Sequence, residues 1–444
     1  MQSLEVKIKY FVKEFLEQIK DKELEIISHF DTDGITSASI MTQTLSRIDK
    51  KFSIKIVKSL NEKIINSVNK NKILLLLDLG SGNLKHIKNS GIKKVFIIDH
   101  HQIDQEIPLN LEIINPELHE KQKISSSGLV YLFAKEIDKK NQDMAKLAIL
   151  GMIGDQLEKD IDQLNHKILE DSQIQKRKGL LIYPSTRPLN KVLEYSSNPF
   201  IPGVSGNPEG VIELLRESGI NPENKKYKSI LELTKQEMEN LVTSIILRNP
   251  EKKQKEFLGN LYLIKMFGKL EDAREISAKI NACSKNGNSG IAMGYCMENS
   301  AAKKKADSIH VKYRQQLLTG IKEVENIKKI ENKKFVIINA QNKIKDTMIG
   351  TIISILSNSP KYPKKTILIG MSHDLENKKI KISARISGGK GRNLKEILSN
   401  VMKKFKGDVG GHSAAAGCSI EFDKEQEFIN SLQEELEKDI LKIK

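Results

Sequence analysis

Short apolar runs alternate with amphipathic stretches through the first 160 residues of the chain. The runs are LEIIS (residues 24–28), FSIKIV (52–57), ILLLLD (73–78), VFIID (95–99) and LEIIN (111–115). Such runs, separated by helix-like segments, are typical of strands in a parallel sheet that helices cover on both faces. The pattern therefore predicts an N-terminal α/β domain with a parallel sheet over residues 1–160.

The middle of the chain, residues 161–330, has long charged stretches with helical spacing, such as SILELTKQEMENLVTSIILRN (229–249). A Pro- and Gly-rich stretch, YPSTRPLNKVLEYSSNPFIPGVSGNPEG (183–210), interrupts them and predicts an ordered loop. We therefore expect this part to be a helical connecting region.

The last part of the chain, residues 331–444, returns to an α/β pattern. Strands are predicted at 334–340, 366–372 and 379–387, helices at 349–357 and 393–405, and a glycine-rich turn in GDVGGHSAAAG (407–417). This indicates a second, smaller domain. Two lobes joined by a connector predict a cleft between them, which is a favoured place for a substrate.

Composition narrows the functional classes. The 444 residues include 73 Lys and Arg against 57 Asp and Glu, so the formal net charge is +16. This charge suits a polyanionic partner, although lysine-rich solvated faces explain it equally well. The three cysteines, Cys283, Cys296 and Cys418, form no CxxC pair, which argues against a disulfide framework or a structural zinc site. Because no apolar run is long enough to span a bilayer, we expect a cytoplasmic protein without a membrane partner.

The segment SHFDTDG places His29, Asp31 and Asp33 at alternate positions directly after a predicted strand. Alternate residues of an extended segment project to the same side, so an imidazole and two carboxylates converge there. This is a set of metal ligands. The alternative is a helix cap, but a cap needs only one such side chain.

Further acidic residues and histidines follow other predicted elements. Asp78 ends the apolar run ILLLLD. Asp99 ends the run VFIID, and His100 and His101 follow it to give the sequence DHH. Asp155 follows the apolar stretch LAILGMIG. Taken alone, Asp78 and Asp155 also fit an ordinary strand or helix end. Adjacent histidines point in different directions, so one can bind a metal while the other faces a phosphate and Asp99 orients an imidazole.

Together these side chains make a shell of carboxylates and imidazoles without a thiolate. Such a shell suits Mn²⁺ or Mg²⁺, and the number of ligands fits two ions that share a carboxylate. Two neighbouring ions can activate a water and stabilise both oxygens of an in-line displacement at phosphorus. The chemistry indicated is hydrolysis of a phosphoester.

A second group of candidate residues lies far away in the sequence. Ser383 and Arg385 are on the predicted strand KISAR, and Gly410, Gly411 and His412 precede SAAAG. Arginine can bind a phosphate with two parallel hydrogen bonds, and glycine amides can form an anion nest. The alternative is a glycine-rich turn that lets two strands meet.

The ordered set HFDTDG, Asp78, DHH (99–101), Asp155 and GGHSAAAG resembles the DHH phosphoesterase superfamily with its C-terminal DHHA1 domain. Within it, the connector and the segment ISSSGLVYLFAKEI are similar to the archaeal RecJ-like exonucleases, which include a nuclease that associates with the GINS replication complex. In two respects the chain departs from bacterial RecJ, which commonly has Asp at the position of His29 and carries an appended oligonucleotide-binding domain.

The resemblance implies roles for individual residues. His29, Asp31 and Asp78 would hold one ion, while Asp33, Asp78, His100 and Asp155 would hold the second. His101 corresponds to the phosphate-facing histidine of the family, with Asp99 beside it. In the C-terminal domain, Ser383, Arg385, Gly410, Gly411 and His412 fall where the family binds the nucleotide backbone.

The function implied is a metal-dependent exonuclease, specific for single strands, that releases mononucleotides from DNA or RNA in the 5′→3′ direction during replication or repair. One alternative is a phosphodiesterase for cyclic dinucleotides or very short RNA. Another is a non-catalytic replisome scaffold, because eukaryotic relatives of this family have lost metal ligands. Every expected ligand position is occupied here, which favours the enzyme.

Overall fold

The structure is a computed structural model that describes residues 3–103, 105–119, 122–159, 161–196, 199–249, 257–359, 361–389, 391–407 and 409–438. The chain divides into two compact units. The first unit takes the described residues of 1–179, 183–186 and 259–311, and the second those of 180–182, 187–258 and 312–444. Both units thus draw on the middle segment, whose boundaries at 160 and 330 stay a prediction, as does the cleft.

The first unit contains a five-stranded parallel sheet in the order β2-β1-β3-β4-β5. Its strands are β1 (Leu24–His29), β2 (Phe52–Val57), β3 (Ile73–Leu77), β4 (Val95–Ile98) and β5 (Leu111–Ile114). Each observed strand ends within one residue of its predicted end. The predicted parallel sheet is confirmed.

Helices cover both faces of this sheet, as the continuous apolar runs predict. They are α1 (Leu4–Ile19), α2 (Thr32–Arg47), α3 (Glu62–Asn66), α4 (Leu84–Asn89), α5 (Ser126–Ile137), α6 (Ala145–Gly154) and α7 (Gln163–Ser172). Along β3, Leu75 and Leu77 pack into the core cluster that contains residues of α1, α2, α5 and α6. Leu74 and Leu76 pack into the opposite cluster, with residues of α3 and α4.

The middle of the chain is largely helical, as predicted, but it also contains strands. Its elements are β6 (Gln175–Leu180), α8 (Leu189–Glu194), α9 (Pro208–Glu217), α10 (Lys235–Leu247), β7 (Leu258–Met266), β8 (Lys269–Asp272), α11 (Ala273–Lys285), α12 (Ser289–Cys296) and α13 (Ser300–Asn326). The strands form a three-stranded sheet in the order β6-β7-β8. The sequence QKRKGL of β6 does not show a strand pattern because its first four residues are exposed and polar. The predicted loop at 183–210 contains α8 and the start of α9.

The end of the chain forms a six-stranded sheet in the order β13-β14-β12-β11-β10-β9. The elements are β9 (Lys329–Glu331), β10 (Phe335–Asn339), α14 (Asp346–Asn358), β11 (Ile367–Asp374), β12 (Lys379–Ile386), α15 (Leu394–Met402), β13 (Gly410–His412), β14 (Ala415–Glu421) and α16 (Glu425–Lys438). Only β10 and β11 pair in parallel, and the other neighbours are antiparallel. The predicted smaller α/β domain is confirmed.

One local expectation in this domain needs correction. The stretch predicted as a glycine-rich turn at 407–417 contains strand β13, the two turn residues Ser413 and Ala414, and the start of β14. Glycine is uncommon inside strands, so the sequence pattern favoured a turn.

Among the described residues, no helix is long and apolar enough to cross a membrane. The three cysteines are free and buried.

Candidate metal centre

The carboxyl ends of three neighbouring strands bring the predicted ligands of the first unit together. His29 is the last residue of β1, Asp78 directly follows β3, and His100 comes two residues after β4. These strands are adjacent in the order β1-β3-β4, so their ends meet at one edge of the sheet. The centre is completed by side chains at the ends of two helices, Asp31 and Asp33 at the start of α2 and Asp155 at the end of α6.

These side chains form two groups around Asp78. In the first, His29 Nδ1 lies 3.0 Å from Asp31 Oδ2 and 3.4 Å from Asp78 Oδ2. In the second, His100 Nε2 lies 3.6 Å from Asp78 Oδ1, 3.4 Å from Asp155 Oδ2 and 4.0 Å from Asp33 Oδ2. The sets His29–Asp31–Asp78 and Asp33–His100–Asp155 each offer ligand atoms within 4.8 Å of one another. Each set could hold a metal ion.

Asp78 is the least satisfied carboxylate of the centre. Its side chain is 1% exposed, and neither of its oxygens has a hydrogen-bond partner within the described residues. Burial, together with the charges of Asp31 and Asp33, raises the pKa of Asp78 well above its usual range. Burial and the same two carboxylates also raise the pKa of Asp155 well above its usual range. A buried charge needs a partner, and divalent cations would supply it.

One carboxylate oxygen of Asp31 caps a helix, and the other lies among the candidate metal ligands. Its Oδ1 accepts a hydrogen bond from the amide of Gly34 at 3.0 Å, so it caps α2, while Oδ2 faces His29. Although burial disfavours the charged form, His29 lowers the pKa of Asp31, and Asp31 in turn raises the pKa of His29. The backbone approaches closely here, because a Cβ at Gly34 would overlap the carbonyl of His29.

Asp99 and His101 form a separate pair beside the ligands. Asp99 is fully buried and accepts hydrogen bonds from the amides of Ser81 at 3.0 Å and His100 at 2.8 Å. Its Oδ1 also lies 2.7 Å from His101 Nδ1. Burial alone would lower the pKa of His101, but the charge and hydrogen bond of Asp99 raise it to about 9. The imidazolium is thus the main form of His101 at neutral pH.

Sequence reasoning missed residues that support this centre from behind. Both oxygens of Asp33 accept backbone amides, from Ser126 and Ser127 at the start of α5. Thr32 donates a hydrogen bond to the carbonyl of Ser277 on α11 at 3.1 Å. Three serines and a glycine before an apolar run indicate a helix start, but not which side chain the helix amides bind.

The candidate substrate-binding residues of the second unit lie on strands β12 and β13, which flank β14. Across the sheet, Ser383 is in register with Gly417 and Gly410, and Arg385 with Ala415 and His412. Because residues in register share a face of an antiparallel sheet, Ser383, Arg385, Gly410 and His412 face the same side. Gly411, with a φ of 114°, is the residue between them on the exposed edge strand β13.

Arg385 is held in place without a carboxylate partner. Its Nε donates to Ser354 Oγ on α14 at 2.9 Å, and its Nη1 donates to the carbonyl of Ala384 at 2.8 Å. Over the described ranges, no carboxylate lies within ion-pair distance of its guanidinium, and burial lowers its pKa. A half-buried arginine of this kind suits an anionic ligand.

Comparison with known proteins identifies the family. Models of three domain families match the chain: the DHH family N-terminal domain at residues 24–153, the DHH-CID domain at 182–256 and the DHHA1 domain at 332–438. The chain belongs to the DHH/DHHA1 superfamily. An uncharacterized protein of Methanocaldococcus jannaschii is 29% identical over 432 residues, which is 93% of this chain and 92% of that protein.

Solved structures share the fold of this DHH/DHHA1 protein at low identity. RecJ from Thermus thermophilus in complex with Mn²⁺ has a TM-score of 0.60 at 15% identity over 97% of this chain. The chain spans only 55% of the length of that RecJ. CDC45 from Entamoeba histolytica has a TM-score of 0.67 at 12% identity, covering 96% of this chain and 99% of that one.

Proposed function

We propose that this chain is a two-metal phosphodiesterase that hydrolyses single-stranded nucleic acid from an end. The observation that carries this proposal is the position of Asp78 between two groups of ligands, with one carboxylate oxygen towards each histidine and no hydrogen bond at either. A carboxylate in that state fits a ligand shared by two cations. The superfamily is typically made of metal-dependent phosphoesterases, which agrees with this chemistry.

The donors of the centre favour Mn²⁺ or Mg²⁺. His29, Asp31 and Asp78 would hold one ion, and Asp33, Asp78, His100 and Asp155 the other. The set has oxygen and imidazole donors and no thiolate, which suits Mn²⁺ and, with its many carboxylates, Mg²⁺. The Mn²⁺ complex of the structurally similar RecJ supports the same choice.

The side chains of this protein would bind and orient the phosphate during hydrolysis. Bound divalent ions would supply Lewis-acid charge for the attack of water on phosphorus. His101, which Asp99 holds by its Nδ1 atom, would donate a hydrogen bond to a phosphate oxygen as negative charge develops. Water adds to phosphorus and the ester P–O bond breaks, which leaves a phosphomonoester on one product and a hydroxyl on the other.

The second unit would bind the nucleic-acid backbone. Arg385, Ser383 and His412 offer hydrogen-bond donors on one face of the sheet, and the exposed glycines Gly410 and Gly411 lie beside them on the edge strand β13. Such contacts recognise phosphate and sugar and carry little base selectivity. This suits an exonuclease that degrades any single strand, and we propose the 5′→3′ direction and a role in replication or repair.

The proposal is tested with single-stranded DNA and RNA labelled separately at the 5′ and 3′ ends, in the presence of Mn²⁺ or EDTA. Mononucleotides released first from the 5′ end, only with metal, are the expected result. Asp78→Asn keeps the shape of the side chain but removes its charge, and we expect it to reduce turnover by at least about 100-fold, more than 2.7 kcal/mol of transition-state stabilisation. Metal-dependent turnover of Asp78→Asn at the wild-type rate would refute the assignment.

Two other functions remain as outcomes of the same assay. Turnover that collapses as the oligonucleotide lengthens would indicate a phosphodiesterase for cyclic dinucleotides or short RNA. The likeness to CDC45 over 99% of that chain favours a second candidate, a replisome scaffold that binds single-stranded DNA. It would bind DNA independently of Mn²⁺ and release no nucleotide. Co-elution with purified GINS would test the proposed association with that complex in either case.

A further inference from the structure

Asp33 is the candidate ligand whose two carboxylate oxygens both accept a hydrogen bond from the backbone. Its side chain is buried, with 1% of the residue exposed. Its Oδ2 accepts a hydrogen bond from the amide of Ser126 at 2.7 Å, and its Oδ1 accepts one from the amide of Ser127 at 2.9 Å. Both amides belong to the first turn of α5, where backbone N–H groups have no partner within the helix and the helix dipole favours a negative charge. The orientation of Asp33 is therefore set before any metal binds.

Gly151 lies on helix α6 and packs directly against Asp33 and Ser127. A Cβ built on Gly151 would overlap both Ser127 Oγ and Asp33 Oδ1, and would approach Ser127 Cβ to 2.9 Å. Ser127 Oγ in turn lies 3.3 Å from the carbonyl of Ala148, one turn earlier on α6. Only a residue without a side chain allows α6 to come this close to the carboxylate.

Gly151 also makes a direct contact with the backbone of the next ligand. Its carbonyl accepts the hydrogen bond of the amide of Asp155 at 3.0 Å, at the end of α6. Asp33 and Asp155 both face His100 Nε2, at 4.0 Å and 3.4 Å. A single residue therefore touches one carboxylate of this group and holds the backbone of the other.

We infer that Gly151 is a positioning residue that sets the distance between Asp33 and Asp155 and so determines whether the Asp33–His100–Asp155 group binds its ion. This inference rests on the proposed metal centre. Because each oxygen of Asp33 already accepts an amide, Asp33 keeps fewer free lone pairs than Asp78 and serves a single ion. The two carboxylates thus have different tasks: the amides of α5 fix Asp33, and cations hold Asp78.

The first experiment measures Mn²⁺ binding without substrate, by titration calorimetry and by the loss of the free Mn²⁺ spin-resonance signal. The wild type is expected to bind two ions. Gly151→Ala should weaken one of them by about 10- to 100-fold, the usual effect of disturbing the residues behind a metal ligand, and leave the other unchanged. Gly290→Ala, in helix α12 of the same unit, is the matched control because its new Cβ meets nothing within 4 Å.

A double variant separates positioning from simple overpacking. Ser127→Gly removes the Oγ and Cβ atoms with which the new methyl group would collide, and leaves Asp33 as the remaining obstacle. Gly151→Ala combined with Ser127→Gly should regain most of the lost thermal stability and still bind the second Mn²⁺ weakly. If the double variant regains both stability and full Mn²⁺ affinity, Gly151 has only a packing role and the inference is wrong.

The outcomes distinguish this inference from the proposed function. A wild type that binds no Mn²⁺ contradicts the metal centre itself. A wild type with two ions, together with Gly151 variants that also bind two ions at unchanged affinity, contradicts only the positioning role. Should Gly151→Ala alone fail to fold, the double variant carries the test, since fewer atoms collide in it.

Discussion

At the scale of single residues, Asp78 and Asp155 are candidate ligands whose carboxyl groups are harder to ionise than a free carboxyl group. Burial and neighbouring carboxylates raise the pKa of both side chains well above the usual range, so each holds its proton more strongly than a free carboxyl group does. Metal ligands must be ionised, so ion binding has to displace these protons. Proton release is therefore a signature of these two residues.

We predict that Mn²⁺ binding releases protons and that Mn²⁺ affinity rises with pH as the two carboxyl groups lose their protons. Calorimetric titrations in buffers with different ionisation enthalpies would measure the number released. Asp78→Asn should release fewer protons than the wild type. A binding enthalpy independent of the buffer would contradict the raised pKa of Asp78 and Asp155.

His101 makes the free energy of unfolding depend on pH. This free energy should fall as the pH rises, whereas the Mn²⁺ affinity should rise. Its pKa rises from the usual 6.5 to about 9 in the folded protein, so protonation favours folding. The stabilisation is fully present below pH 6.5, which is the pKa in the unfolded chain, and is lost as the pH rises through 9. Because the side chain of His101 is 47% exposed, solvent screens its interaction with Asp99. The stabilisation for each pKa unit is therefore smaller than the full value of about 1.4 kcal/mol.

We therefore expect the free energy of unfolding of protein treated with EDTA to fall between pH 6.5 and 9. In His101→Gln, this fall should be smaller than in the wild type. Urea denaturation at several pH values would measure both curves. Parallel curves for the two proteins would show that Asp99 does not stabilise the charged imidazole.

At the scale of secondary-structure elements, Asp31 combines a helix cap with a place in the candidate metal centre, and substitutions can separate the two. Asparagine caps helices as well as aspartate, whereas alanine does not. In EDTA, Asp31→Ala should lower the free energy of unfolding by about 1 kcal/mol, while Asp31→Asn should be close to the wild type. Both variants should weaken Mn²⁺ binding. Equal stability of all three proteins in urea titrations would mean that the hydrogen bond to Gly34 does not stabilise α2.

The same scale shows why the sequence predicted some elements and not others. Strands β1, β3 and β4 are buried on both faces, so they read as continuous apolar runs and their ends indicate where His29, Asp78 and His100 meet. Strand β6 is polar and exposed, and β13 consists of Gly410, Gly411 and His412, so neither carries a strand pattern. The hydrogen-bond donors to Asp33 are backbone amides, and because every residue except proline has one, the sequence does not show which amides bind it.

At the scale of the whole molecule, charge should dominate nucleic-acid binding. The net charge is +16, the chain has no Trp and aromatic residues make up 5% of it, so few side chains are available to stack on bases. Binding through phosphate contacts releases counterions and therefore weakens steeply with salt. The affinity for a single strand should consequently depend little on its sequence and strongly on ionic strength.

A salt titration connects this property with Arg385. For single strands, the logarithm of the binding constant falls with the logarithm of the salt concentration by about 0.7 for each phosphate contact. In EDTA, where we expect no turnover, Arg385→Ala should lower the magnitude of that slope by about 0.7 and weaken binding at low salt. Arg216→Ala is the charge-matched control, because Arg216 is an exposed arginine on helix α9 and is not part of the sheet that carries Arg385. Fluorescence anisotropy with a labelled oligonucleotide measures both slopes. If the two variants change the slope equally, Arg385 contributes only its share of the net charge and does not contact a phosphate.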